Sequence, residues 1–117
     1  MIKVEFSTDK AGGSIILRLT GHAGAGEAGR DLVCSAASIL AYTVAQTALF
    51  MYEDKALKKK PTIRLKPGDA EVVMTPKKAS YTEALHTYYV AQVGYRLLAK
   101  DYPEYVKLTT FGESECS

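Results

Sequence analysis

A thiol and an imidazole bracket the most glycine-dense stretch of this sequence. His22 opens the segment GHAGAGEAGRDLVCSAAS, residues 21–38, and Cys34 lies near its close. A thiol is a poor nucleophile until it loses its proton. The first turn of a helix favours the anion, because its unpaired N–H groups and dipole carry partial positive charge. Asp31 is a good N-cap, so the spacing predicts a helix from about residue 31 to residue 52 with Cys34 third in its first turn. A nearby imidazole can take the thiol proton and hold the pair as thiolate and imidazolium. The glycines between the two let the chain fold back at little strain. The N–H of Cys34 and its neighbours are the natural donors for a developing oxyanion.

The same residues have a plain structural reading. Cysteine packs well in a helix of small residues, and a histidine at a strand end is commonly a satisfied structural group. Residue chemistry alone leaves both readings open. Asp31 adds a second ambiguity. It lies three residues before Cys34, where a carboxylate raises a thiol pKa unless a cation intervenes. Either it orients a protonated His22 or it only caps the helix. The loop also spells G-x-G-x-x-G at Gly24, Gly26 and Gly29, between a strand and a helix. The preceding strand belongs to a hairpin, Glu27 would face the phosphates, and Glu53 and Asp54 close the helix instead of following a second strand, so a dinucleotide site is not expected. No Lys-Ser or Lys-Thr pair follows the glycines, which excludes a P-loop.

The elements that must position these residues are legible in the patterning. Residues 2 to 7 alternate, with Ile2, Val4 and Phe6 on one face, and Ile15, Leu17 and Leu19 share a face in residues 14 to 20; the two read as a hairpin. His22 therefore sits at a strand end. Beyond the apolar helix, residues 62–66 and 70–75 read as strands joined by Pro67, Gly68 and Asp69. Ser80 and Glu83 form the S-x-x-E of a capping box, opening a helix to about Lys100 on Leu85, Tyr88, Tyr89, Val93 and Leu97. Pro103 ends it, and residues 105–110 read as a last strand. The order ββαββαβ predicts a single α+β domain over residues 1–117, with helices packed on a mostly antiparallel sheet.

Composition narrows the function classes. The 117 residues are 47% apolar and 24% charged, ordinary for one globular domain. Net charge is +2, from 15 basic and 13 acidic residues, too balanced to point to nucleic acid. Lys55, Lys58, Lys59 and Lys60 form the one basic cluster, read as a solvated helix end in preference to an RNA contact. Charges interrupt the N-terminal residues at once, so no signal peptide is expected. The uncharged run from Leu32 to Tyr52 is long enough to span a bilayer, yet Ser35, Ser38, Thr43, Gln46, Thr47 and many alanines favour a central helix. A cytoplasmic setting and reduced thiols are expected, with Cys116 a free thiol in a polar tail. No cluster has metal-ligand spacing, and neither metal nor cofactor is expected. His86 reads as a packed or surface residue. The tyrosines at 81, 88, 89, 95, 102 and 105 read as core or dimer interface in preference to base-stacking platforms.

The segment resembles the ribosomal-processing cysteine proteases called Prp. The motif is G-H-A, a short glycine-rich loop, then G-x-D-x-V-C with small residues and a serine after it. Here these are Gly21-His22-Ala23, Gly29-Arg30-Asp31-Leu32-Val33-Cys34 and Ala37-Ser38. Ser35 stands where the family usually has alanine. The resemblance implies an α+β homodimer with Cys34 and His22 catalytic and Asp31 at a motif position. It implies as substrate the N-terminal extension of a large-subunit ribosomal protein, cut after an aromatic-rich sequence, and a mobile loop between the catalytic pair that orders on the peptide. Gly21, Ala23, Gly24, Gly29 and Ser38 are then the expected substrate-binding residues, the small ones letting a peptide backbone approach closely. The alternative from another class is a ribosome- or RNA-associated binding module without catalysis, built on the lysines and tyrosines.

Overall fold

The computed structural model describes residues 1–22 and 30–111, excepting the side chains of Arg30 and Asp31. Its elements run β1 (Ile2–Asp9), β2 (Ser14–Thr20), α1 (Arg30–Glu53), β3 (Thr62–Lys66), β4 (Asp69–Met74), α2 (Tyr81–Asp101) and β5 (Val106–Thr109), the expected ββαββαβ order. The strands form one sheet in the order β3-β4-β2-β1-β5. Every neighbouring pair is antiparallel except β1 with β5.

Chain connectivity places both helices on one face. α1 carries the chain from β2 past β4 to β3, and α2 carries it back from β4 past β2 and β1 to β5. β2 and β4 run in opposite directions, and the two crossovers travel in opposite directions across the sheet. Reversing both leaves the helix on the same side when each crossover is right-handed. Ile2, Val4 and Phe6 of β1, Ile15, Leu17 and Leu19 of β2, and Val72 and Met74 of β4 are buried. On alternate residues the other face is charged. Glu5, Arg18, Glu71 and Arg64 stand side by side across four strands, with Arg18 paired to Glu71. An antiparallel sheet can expose one face in this way.

The core between the layers is aromatic at its centre. Phe6 is fully buried, with the rings of Tyr88, Tyr95 and Phe111 centred 6.4, 5.8 and 5.5 Å away. The hydroxyl of Tyr88 donates to the Val72 carbonyl at 3.0 Å and that of Tyr95 to the Ala37 carbonyl at 2.8 Å. α2 is thereby tied to the sheet and to α1. α1 meets the length and composition of a membrane span, but its Val33, Ala37, Ala41, Val44, Ala48 and Met51 are buried in this core. It is the central helix that its polar and small residues predict.

Both helices begin within a residue of expectation. α2 begins as expected, but Ser80 makes no side-chain cap bond. A 3-10 turn, Lys78–Ser80, leads into the helix and leaves Ser80 at φ −109°, ψ 5°, away from the extended backbone that lets a cap hydroxyl reach forward. The described part of α1 begins at Arg30, so the Asp31 backbone is helical. Cys34 is then the fifth helical residue. Its amide lies beyond the four unpaired ones and bonds the carbonyl four residues back, so it is not a free oxyanion donor.

Candidate active site

The site forms where several chain ends converge. Thr20, the last residue of β2, pairs with Lys3 on one side and Asp69 on the other. The end of β2 therefore lies between the start of β1 and the β3–β4 turn. Gly21 follows with φ +93°, and a Cβ there would run into the carbonyl of Met1, so only glycine fits. Its N–H donates to the carbonyl of Gly68 at 3.0 Å. The next residue is His22, whose own carbonyl accepts from the Met1 nitrogen. The strand end that carries the imidazole is thus held from both flanks.

Pro67 and Gly68 are the two residues between β3 and β4. Proline fixes the first position, and Gly68 at φ +73° takes the second, the type II pattern. This turn and His22 together border a cleft of about 250 Å³. From the other side the cleft is lined by Cys34, Ala37, Ser38, Ala41 and Tyr42 of α1, spaced so that one helical face lies against it. Ala37 and Ala41 are buried, Cys34 and Ser38 half-buried, and His22 exposed. Small side chains on this stripe leave the space that makes the cleft.

The structure brings His22, Cys34, Gly21 and Ser38 to one cavity. Asp31 is one turn ahead of Cys34 on α1. Ala23, Gly24 and Gly29, with the loop expected to be mobile, lie outside the described residues, as does Cys116. Ser35 is exposed and borders an open groove beside Cys34. The lysine cluster lies past the far end of α1, roughly 28 Å of helix from Cys34 at 1.5 Å per residue. Among the described residues no group of three or more His, Cys, Asp or Glu is placed to hold a metal ion.

Asp69 and Leu65 also line the cleft, and sequence reasoning did not single them out. Arg64 holds Asp69 through bonds of 3.0 and 2.9 Å, and this hydrogen bonding keeps the Asp69 carboxyl below its ordinary pKa. The Asp69 carboxylate therefore sits with Arg64 and Glu71 on the open face of the sheet, paired and not a free base. Leu65 sits on the edge strand β3. Past Tyr42 and Leu65 the cleft continues as an apolar trough between α1 and β3, lined by Ala45, Gln46, Leu49 and Ile63. The pairing of β3 with α1 across this trough is tertiary and has no local sequence signal.

A thiol, an imidazole and an extended trough in one place suit covalent chemistry on a peptide. A search of curated protein sequences returns no match. Among solved structures, the essential ribosomal processing protease Prp from S. aureus, crystallised with a substrate peptide, superposes with a TM-score of 0.68 at 20% identity, covering 94% of this chain and 99% of that one. The same protease with a covalently linked product peptide gives 0.66 at 21% identity, with the same coverage. SMU.848 from Streptococcus mutans gives 0.66 at 26% identity, covering 95% of this chain and 94% of that one. These likenesses carry the fold. The family described as Cysteine protease Prp matches residues 1–107, nearly the whole described chain, and this chain belongs to that family of cysteine proteases.

Proposed function

We propose that Cys34 is the nucleophile and His22 the base of an endopeptidase that trims an N-terminal extension from a large-subunit ribosomal protein. The observation that carries the mechanism is that the two side chains line one cleft although they come from different elements. In the first step the Cys34 sulfur attacks the scissile carbonyl and its proton passes to His22. A C–S bond forms and the carbonyl oxygen takes the negative charge. Helix side chains lean toward the N-terminus, so the sulfur lies over the turn whose amides are unpaired; those amides are the oxyanion donors. Collapse breaks the C–N bond, and His22 returns the proton to the leaving amine. Water, activated by His22, then hydrolyses the thioester. Asp31, one turn ahead of Cys34, supports His22.

For the substrate, the S. aureus protease holds its peptides in this fold, one of them covalently. The trough beside β3 suits an extended peptide with apolar side chains, because Tyr42, Leu49, Ile63 and Leu65 line it. The setting is the cytoplasm, where such a substrate is made. The working unit is a homodimer: α2 leaves Val90, Val93 and Leu97 exposed at helical spacing, and an apolar strip of this kind suits a second copy. Val93→Lys should then halve the mass seen by light scattering.

Cys34→Ala should abolish cleavage of a ribosomal-protein N-terminal peptide while leaving the far-ultraviolet spectrum and melting point nearly unchanged. Full activity in that variant ends the proposal. Ser38→Phe should fill the cleft and stop cleavage, yet leave Cys34 open to iodoacetamide, which separates peptide binding from thiol chemistry.

A further inference from the structure

We propose that Gly68, in the β3–β4 turn, is a positioning residue for His22; the proposal rests on the Cys34–His22 reading above. The His22 ring lies against the backbone of Gly68. A Cβ on Gly68 would stand 2.5 Å from Nε2, 2.7 Å from Cε1 and 3.3 Å from Cδ2 of that ring. Real Cβ atoms essentially never come within 3.0 Å of another heavy atom, so any side chain here must turn the imidazole or move the turn.

The turn is poorly placed to move. Gly68 accepts the Gly21 N–H at 3.0 Å, and Asp69 pairs with Thr20 in the sheet. Gly21 is fixed in turn by its positive φ and by the Met1 carbonyl beneath it. With the backbone on both sides held, the soft coordinate is the imidazole rotamer. An exposed ring moves between staggered wells at little cost. The bare Cα of Gly68 sets where the Nε2 edge can lie. A base acts only within hydrogen-bond reach of the proton it takes.

Gly68 meets two separate demands, and they can be tested apart. The turn needs a positive φ, which asparagine also tolerates. The ring needs the absence of a Cβ, which only glycine provides. Gly13 has nearly the same φ, +70°, but nothing within 4 Å of its would-be Cβ. Gly68→Asn and Gly13→Asn therefore differ in the ring contact.

Both are made in the full chain carrying Cys116→Ser, so that Cys34 is the thiol that reacts. Iodoacetamide alkylation of Cys34 is followed across pH, with the His22 ring carbons observed by NMR and His22→Ala as reference. Gly13→Asn should alter the rate by less than about twofold, whereas Gly68→Asn should slow it about tenfold or more, because an ångström of misplacement can cost that much. Gly68→Asn should also move the His22 resonances and reshape the pH profile, while the two variants lose similar melting temperature. If His22→Ala slows alkylation and Gly68→Asn does not, the role of Gly68 falls and the catalytic pair stands. If His22→Ala itself has no effect, both fall. Should Gly68→Asn fail to fold, wild-type nuclear Overhauser contacts between the His22 ring and Gly68 Hα decide: their presence supports the proposal, and their absence overturns it.

Discussion

Gly21 aims His22 at the cleft that Cys34 lines from α1. Its φ of +93° turns the chain out of β2 so that His22 faces the cleft, and its missing side chain lets the start of β1 pass beneath. Gly21→Ala combines a left-handed backbone penalty with a collision against main chain, which cannot swing aside as a flexible side chain can. The expected cost is about 1–3 kcal/mol of stability, read from urea midpoints, together with slower alkylation of Cys34. A variant as stable and reactive as wild type would show that the strand end relaxes freely. Residue types made Cys34, His22 and Ser38 visible in the sequence, since thiols, imidazoles and small residues in a G-H-A context narrow the chemistry. Gly68 was read only as a turn former, because its contact with His22 joins residues 46 positions apart.

At the scale of elements, a buried hydroxyl ties α2 to α1. Tyr95 donates to the Ala37 carbonyl on the stretch of α1 that lines the cleft. Tyr95→Phe should cost about 1 kcal/mol, the usual loss for a buried hydrogen bond. Burial pushes the hydroxyl pKa of both Tyr95 and Tyr88 well above the ordinary tyrosine value of 10.0. The folded state therefore holds these protons more tightly than the unfolded chain. Their contribution is complete below the unfolded pKa and is lost as pH climbs beyond it toward the folded value. Urea midpoints should fall as pH rises above about 10, and less steeply in the Tyr88→Phe, Tyr95→Phe double variant. An unchanged alkaline slope would mean the hydroxyls ionise without unfolding the protein. Helix and strand spans were legible to within a residue or two because the periods of 2 and 3.6 are strong here. The cap bond of Ser80 was not, since the 3-10 turn before α2 sets its backbone away from the extended form that a cap hydroxyl needs.

Across the whole molecule, Phe6 is where sheet, α2 and the segment after β5 meet. Three rings surround it. Phe6→Ala should cost about 3–5 kcal/mol through lost burial and the cavity left behind, a large share of the roughly 5–15 kcal/mol that holds a domain together. The denaturant slope should stay the same. A loss below about 1 kcal/mol would show that the core collapses around the gap. The division of faces follows from the same architecture. Both crossovers put their helices on one side, so the other side keeps its ladder of Glu5, Arg18, Glu71 and Arg64 in water.

The sequence by itself determined the element order, the buried face of each strand, the family motif and the pairing of a thiol with an imidazole as candidates. All of these are carried by residue type and short-range period. Tertiary structure decided which turn lies beneath His22, that the cleft runs on along the edge strand β3, and that Asp69 pairs with Arg64 on the opposite face of the sheet. Such facts arise when distant segments meet. A backbone contact between residues far apart in the chain leaves no mark on the local pattern of either.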